Sequence, residues 1–392
     1  MRMKTKKSRP ALKICVVTGI PPLNLLVYKF VQVLEPSVDE MVLITGNYPE
    51  EDVFSPKIKL INTNRNTKER FFLLSIIRFI FLQLKFTWHL VKNLSQTKVV
   101  FFFLEGGLYL FPVLAARLVR KKTITVITHS SSQIAKQTNK SKFFPIVMTI
   151  LEAITRKLNH KLVIYGPSLV AQFNLERHKN KIIVAHRQFV DFNLFKLKNS
   201  LGKRNNQVVY IGRFSAEKGI LNLIAAVALL ARKENNIAKN KIKFFIIGDG
   251  ELKEEVKRLI KQNNLNDEEI RLLGWLPHEE LPKYLNEMKL LIIPSYTEGL
   301  VNVLLEAMAC GTPVLVTAVG AIPDIIKDGE NGFILKDNSP ETIAKEITKA
   351  LSHPHLEQIS TNARALAEKE YTFESAVERY RKIMDEIISG KI

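Results

Sequence analysis

The stretch Pro294–Pro313 (PSYTEGLVNVLLEAMACGTP) concentrates the side chains with the clearest chemical use. An apolar run ends at Pro294, a loop of small and polar residues follows, and a helix is expected to begin near Val301. A loop glycine followed by a helix start leaves backbone N–H groups without helical acceptors and adds the positive end of the helix dipole. That combination binds anions, a diphosphate among them. Glu298 lies in the loop and Glu306 further along the helix, so the two address different points of one ligand. A carboxylate at Glu306 is suited to accept hydrogen bonds from a ribose diol, as acidic residues do in dinucleotide-binding folds. Glu298 is placed to reach whatever is attached beyond the diphosphate.

Elements that position such a loop can be read on both sides of it. Candidate strands in the first half are Lys13–Thr18, Met41–Thr45, Lys98–Leu104, Thr123–Thr128 and Lys161–Tyr165, with helical stretches Phe71–Leu94 and Leu108–Val119 between some of them. The second half repeats the scheme, with strands Gln207–Ile211, Lys243–Ile247, Ile270–Leu273, Leu290–Ile293 and Pro313–Val316. Helices Ile220–Lys233, Leu252–Asn263, Pro282–Asn286 and Asn302–Ala309 alternate with them. Nearly continuous Val/Ile/Leu strands alternating with helices predict an α/β chain with parallel sheets covered on both faces. Two such sets predict two doubly wound domains, residues 1–200 and 201–372, with the polar stretch Lys196–Asn206 as the linker. Residues 373–392 read as a final helix.

A chain of 392 residues with 46% hydrophobic content is long enough for two buried cores. Its two cysteines, Cys15 and Cys310, build no disulfide framework and show no metal-ligand spacing. A reduced, cytoplasmic setting is the simplest expectation, and no long apolar signal core follows the basic N-terminus. The net charge of +20 is unevenly spread. Residues 1–200 hold 32 Lys and Arg against 11 Asp and Glu, an excess of 21, whereas residues 201–392 hold 26 against 27. Such asymmetry points to an acidic partner for the first half, such as anionic lipid or a phosphorylated acceptor. Nucleic acid is disfavoured, because aromatics interleaved with glycine and cations are missing. Phe71–Val91 is very apolar, but Arg78 and Lys85 argue against a spanning helix. Two readings stay open: a helix lying in the bilayer interface with cations at its edge, or a helix packed in the domain with its polar stripe in water.

Glu298 and Glu306, separated by seven residues and continued by EAMACGTPV, resemble the donor-site signature of the family 4 retaining glycosyltransferases (glycosyl transferases group 1). The resemblance runs through most of residues 207–380, in VVYIGRFSAEKGI, IIGDGEL, LLGWLP and VGAIPDIIKDGENGF. In the first half it thins to ITHS and the strand order. It implies the GT-B fold, two Rossmann-like domains facing a central cleft, with the acceptor domain first and the donor domain second. The last helix is implied to cross back to the first domain. By the same resemblance Arg213 and Lys218 bind the donor diphosphate, together with backbone N–H groups of Gly299, Leu300 and Val301. Gly248, Gly250, Leu272 and Leu273 border the nucleoside, and Glu306 holds its ribose. Glu298 contacts the donor sugar, with His129 facing it from the first domain, as the catalytic pair. His186 and Arg187 stand where relatives carry a small-residue loop.

Two departures are visible. The loop Thr18-Gly19-Ile20-Pro21-Pro22 has one glycine where the family often has several, and Ala321 follows Gly320 where a second glycine is common. No Asp-x-Asp metal signature stands at a strand end, so the expectation is a metal-independent hexosyltransferase without a bound cofactor. Its donor would be a UDP- or GDP-linked sugar, transferred with retention to a sugar or lipid-linked acceptor. A nucleotide-sugar epimerase and a sugar phosphorylase are the rivals that share the fold. A peripheral place on the inner membrane face is the further expectation that the charge split allows.

Overall fold

The computed structural model describes residues 11–19, 25–46, 54–63, 72–103, 109–128, 143–232 and 242–391. These divide into two compact units. The first comprises residues 1–165, 169–187 and 377–392, and the second 166–168 and 188–376.

Unit 1 is built on a seven-stranded parallel sheet. Its strands are β1 (Lys13–Val17), β2 (Glu40–Thr45), β3 (Ile58–Asn62), β4 (Val99–Phe103), β5 (Lys122–Ile127), β6 (Lys161–Ile164) and β7 (Ile182–Val184), in the order 3-2-1-4-5-6-7. Helices α1 (Leu25–Leu34), α2 (Phe72–Asn93), α3 (Leu110–Leu118), α4 (Phe143–Leu158) and the short α5 (Leu169–Gln172) connect them. Strand β4 shows why its sequence, VVFFF, is apolar throughout: every residue is buried. Phe101 and Phe103 pack on Phe30 of α1, the latter stacked at 4.2 Å. Phe102 points the other way, toward Tyr109, which also meets Phe86 of α2. Alternation along one strand therefore fills both faces.

Unit 2 repeats the plan with six strands in the order β10-β9-β8-β11-β12-β13. They are β8 (Gln207–Ile211), β9 (Lys243–Ile247), β10 (Ile270–Gly274), β11 (Leu290–Ile293), β12 (Val314–Thr317) and β13 (Phe333–Leu335). Between them run α6 (Ile220–Arg232), α7 (Lys253–Gln262), α8 (Leu281–Glu287), α9 (Asn302–Ala309) and α10 (Ile322–Ile325), and α11 (Pro340–Leu351) and α12 (Leu356–Glu370) follow. Helix α13 (Phe373–Ile388) starts in unit 2, and its residues from Val377 belong to unit 1. There Tyr380 stacks edge-on against Phe30 and donates to the carbonyl of Ala185 at 3.2 Å. Both strand orders are those of a doubly wound fold whose ligands bind beyond the carboxyl ends of the strands. The α/β expectation holds.

One expectation fails. The polar stretch Lys196–Asn206 is no linker: the chain enters unit 2 at Gln188, and this stretch is packed into it. Arg204 is only 6% exposed. Its Nη1 donates to the carbonyls of Leu285 and Met288 and to Thr312 Oγ1, and its Nη2 to the carbonyls of Asn199 and Cys310, all at 2.7–3.0 Å. The guanidinium thus closes the ends of α8 and α9, where last-turn carbonyls lack helical partners. Burial lowers its pKa to about 10, still high enough to keep the charge at neutral pH.

Each unit holds one buried thiol, Cys15 in β1 and Cys310 just after α9. Burial raises both, Cys310 to about 12. In unit 1, His160 Nδ1 lies 3.0 Å from both N and Oγ1 of Thr123. Burial, followed by the charges of Arg117, Lys122 and Lys181, pushes the ring down to about 4. Its folded value thus lies below the unfolded value of about 6.5, so its contribution to stability is complete above pH 6.5 and is lost as pH falls toward 4. Urea denaturation from pH 7.5 to 4.5 should show the stability advantage of wild type over His160→Asn shrinking below pH 6.5. A constant difference would assign the ring no titration.

Candidate active site

The loop after β11 and the helix α9 that follows it form the heart of the site. Val301 is the N-cap residue of α9, no side chain caps the helix start, and no acid lies in its first turn. Among the described residues, no backbone acceptor takes the N–H of Gly299, Leu300 or Val301. Unpaired N–H groups at a helix start are, in general, an arrangement that favours anions. The carbonyls of the same loop are anchored: Ala321 N donates to Gly299 O at 3.0 Å, and Gln188 Nε2 to Leu300 O at 3.4 Å.

Glu298 is fixed by charge. Lys218 Nζ donates to both of its carboxylate oxygens, at 2.7 and 2.8 Å, and Ser295 Oγ donates to Oε1 at 2.6 Å. The pair is largely shielded, with side-chain exposures of 21% for Lys218 and 9% for Glu298, so water screens it less than a surface pair. An ammonium carries three donors, and two are occupied here, leaving one for an incoming ligand oxygen. The approach is permitted by Gly219, which follows Lys218 in the left-handed region at φ +68. A Cβ there would sit 2.0 Å from the carbonyl of Pro294, so only glycine lets the Lys218 turn meet the loop this closely.

Arg213 is arranged differently. Its side chain is 69% exposed and meets Glu217 at 3.6 Å. Glu217 is held lower than an ordinary carboxylate despite partial burial, through Ser215, its own backbone, Arg213 and Lys218. Arg213 is thus an exposed cation held by one long ion pair, whereas Lys218 is held by two short hydrogen bonds to one carboxylate.

The turns that follow β8 and β9 meet through backbone. Gly248 lies at φ +144, and a Cβ on it would fall 1.8 Å from the carbonyl of Gly212. The turns 212–214 and 248–250 are therefore in direct backbone contact, joined also by Phe214 N to Asp249 O at 2.8 Å. Gly250 completes that turn, and Asp249 is bound to Lys253 at 2.6 Å. Strand β10 pairs with β9 through Leu272 and again through Gly274, with a register shift between them. Leu273 is the extra residue, so its backbone leaves the ladder at the strand end. Leu272 and Leu273 are both half-buried.

Glu306 is 4% exposed, and its Oε1 lies 2.9 Å from His278 Nε2. Against a carboxylate, that nitrogen donates. The His278 ring rests on Phe195, 5.1 Å between centroids. His278 and Ser295 are the two site residues that sequence reading missed. Ser295 stands three residues before Glu298 and was open to inspection as a loop donor. His278 meets its partner 28 positions away, and nothing local marks it. His129, Ile20, Pro21 and Pro22 lie outside the described residues. His186 and Arg187 are placed in unit 1, with Arg187 only 1% exposed and facing the rings of Phe103 and Tyr165.

Residues 191–366 match the family model described as glycosyl transferases group 1. An uncharacterized glycosyltransferase of Methanocaldococcus jannaschii is 26% identical over 360 residues, covering 88% of this chain and 83% of its own. The alpha-D-kanosaminyltransferase of Streptomyces kanamyceticus is 29% identical over 223 residues, 55% of this chain and 56% of its own. The chain spans about half the length of that relative. Among solved structures, Anabaena HepE in complex with UDP superposes with a TM-score of 0.73 at 15% identity, over 96% of this chain and 100% of the other. That likeness is one of fold, and the fold is GT-B.

Proposed function

We propose that this chain is a group 1 glycosyltransferase of the family 4 type. In this reading it moves a hexose-type sugar with retention from a UDP- or GDP-linked donor to a sugar or lipid-linked acceptor. One observation carries the reading: Lys218 is locked to Glu298 beside an uncapped helix start whose loop N–H groups have no acceptor. An enzyme that expels a nucleoside diphosphate needs fixed positive charge where the departing oxygen gains negative charge.

The proposed step needs no nucleophile from the protein. The acceptor oxygen bonds to the anomeric carbon on the face from which the diphosphate leaves, as the carbon–oxygen bond to the β-phosphate breaks. The acceptor proton passes to that leaving oxygen. Lys218 and the loop N–H groups stabilise the leaving charge, while Glu298 holds sugar hydroxyls. Glu306, steadied by His278, accepts from the ribose with its second oxygen. Lys218, Arg213 and the helix start supply the charge that a divalent cation otherwise would.

A panel of nucleoside diphosphates and their sugars tests the reading by thermal shift. At a concentration near 100 times Kd, a ligand bound only to the folded state adds about 2.7 kcal/mol, so UDP or GDP should raise the melting temperature by several degrees. No shift with any nucleotide would reject donor binding. The anomeric configuration of the product, read by NMR, should match that of the donor. Turnover in excess EDTA should be unchanged.

A further inference from the structure

We propose that the outward face of helices α2, α3 and α4 in unit 1 docks on an anionic lipid bilayer. Most of the large apolar side chains exposed among the described residues lie on or beside these three helices. Helix α3 packs against both α2 and α4, so their outward residues form one neighbourhood. Helix α2 is apolar on two sides. Phe86 and Leu90 are wholly buried in the core, while Phe81, Leu84 and Trp88 point outward with 50–66% of their surface exposed. Leu118 of α3 and Ile150 of α4 extend the exposed surface. Core packing alone gives no reason for phenylalanine and tryptophan on the outer side.

The neighbouring charge selects the partner. Lys85 and Lys92 border the α2 stripe, and Lys92 Nζ stands 4.3 Å over the Trp88 ring. Helices α2 and α3 contain no acidic residue, and the single acid of α4, Glu152, is buried and paired with Arg156 at 3.1 Å. A second copy meeting this face across a twofold axis would bring cations against cations with no carboxylate between them. An anionic bilayer instead offers apolar depth for the aromatics and negative headgroups for the lysines. No helix of the described residues is long and apolar enough to cross a membrane, so the helices lie on the surface.

Flotation of the whole protein with mixed phosphatidylcholine–phosphatidylglycerol vesicles tests this, with pure phosphatidylcholine as the second arm. The expected result is salt-sensitive binding to the mixed vesicles and much weaker binding to the neutral ones. Phe81→Glu with Trp88→Glu should weaken binding at least about tenfold, and Lys85→Gln with Lys92→Gln should weaken it chiefly on the mixed vesicles. Both pairs are exposed, and unchanged melting curves would show that the variants fold. In a Trp275→Phe background Trp88 is the sole tryptophan, and its emission should shift to the blue on the mixed vesicles. Absence of wild-type binding, or equal binding by the glutamate variant, overturns the proposal. So does a wild-type dimer that Phe81→Glu converts to monomer without any vesicle binding. The measurement uses no donor, so it stands or fails separately from the transfer reading.

Discussion

Replacing Lys218 with alanine is expected to lower kcat/KM for the nucleotide-sugar donor by about 100–1,000-fold, the usual scale for losing one preset electrostatic group at a developing charge. The size of the effect follows from geometry. Both oxygens of Glu298 hold the ammonium at 2.7–2.8 Å, so its position is fixed before any ligand arrives. Charge that is already in place stabilises a transition state without reorganisation. Arg213, 69% exposed and only loosely paired with Glu217 at 3.6 Å, should give the smaller loss when replaced by alanine, expressed more in KM than in kcat. Glu298→Gln separates charge from shape: it keeps a hydrogen-bonding partner for Lys218 and Ser295 but frees the ammonium from its counter-ion. Steady-state kinetics of the three variants are the check. A Lys218→Ala enzyme with wild-type kcat/KM would remove Lys218 from the donor site.

The second large effect concerns stability. Arg204→Ala should cost at least about 3 kcal/mol, since it leaves the buried carbonyls of Met288 and Cys310 without a donor and takes from Leu285 O one of its two donors, Thr312 Oγ1 being the other. For a unit of this size that corresponds to a melting temperature lower by about 6–12 °C. Arg204→Lys should fall between the two, because one ammonium does not span two helix ends as a planar guanidinium does. Calorimetry would decide it. A shift within a degree of wild type would mean that water replaces the guanidinium at little cost.

Arg204 also marks where sequence reading stopped. It sits in a run of Lys, Asn and Ser, so composition made the segment a linker; its five acceptors are supplied from positions 5 to 108 residues away. The central strands were legible because residues buried on both faces leave continuous apolar runs, as in VVFFF and LLII. The strands that escaped notice, β3, β7 and β13, are all sheet edges of three to five residues. With one side open, β3 mixes Ile and Leu with Lys and Asn, a pattern too short to separate from a loop. At the site, the loop and helix start were legible because their chemistry is contiguous. The contacts Lys218–Glu298 and His278–Glu306 were not, since they join residues 80 and 28 positions apart.

The placement of the two sulfur atoms has a practical consequence. Cys15 belongs to the first β-strand of unit 1, Cys310 to the turn that leaves helix α9 of unit 2, and neither is accessible. An alkylating reagent therefore labels each only when its own surroundings open, and at a rate set by that opening. Mass-resolved labelling of one native chain then reports two separate unfolding equilibria without any engineered probe, and shows which of them a bound nucleotide slows.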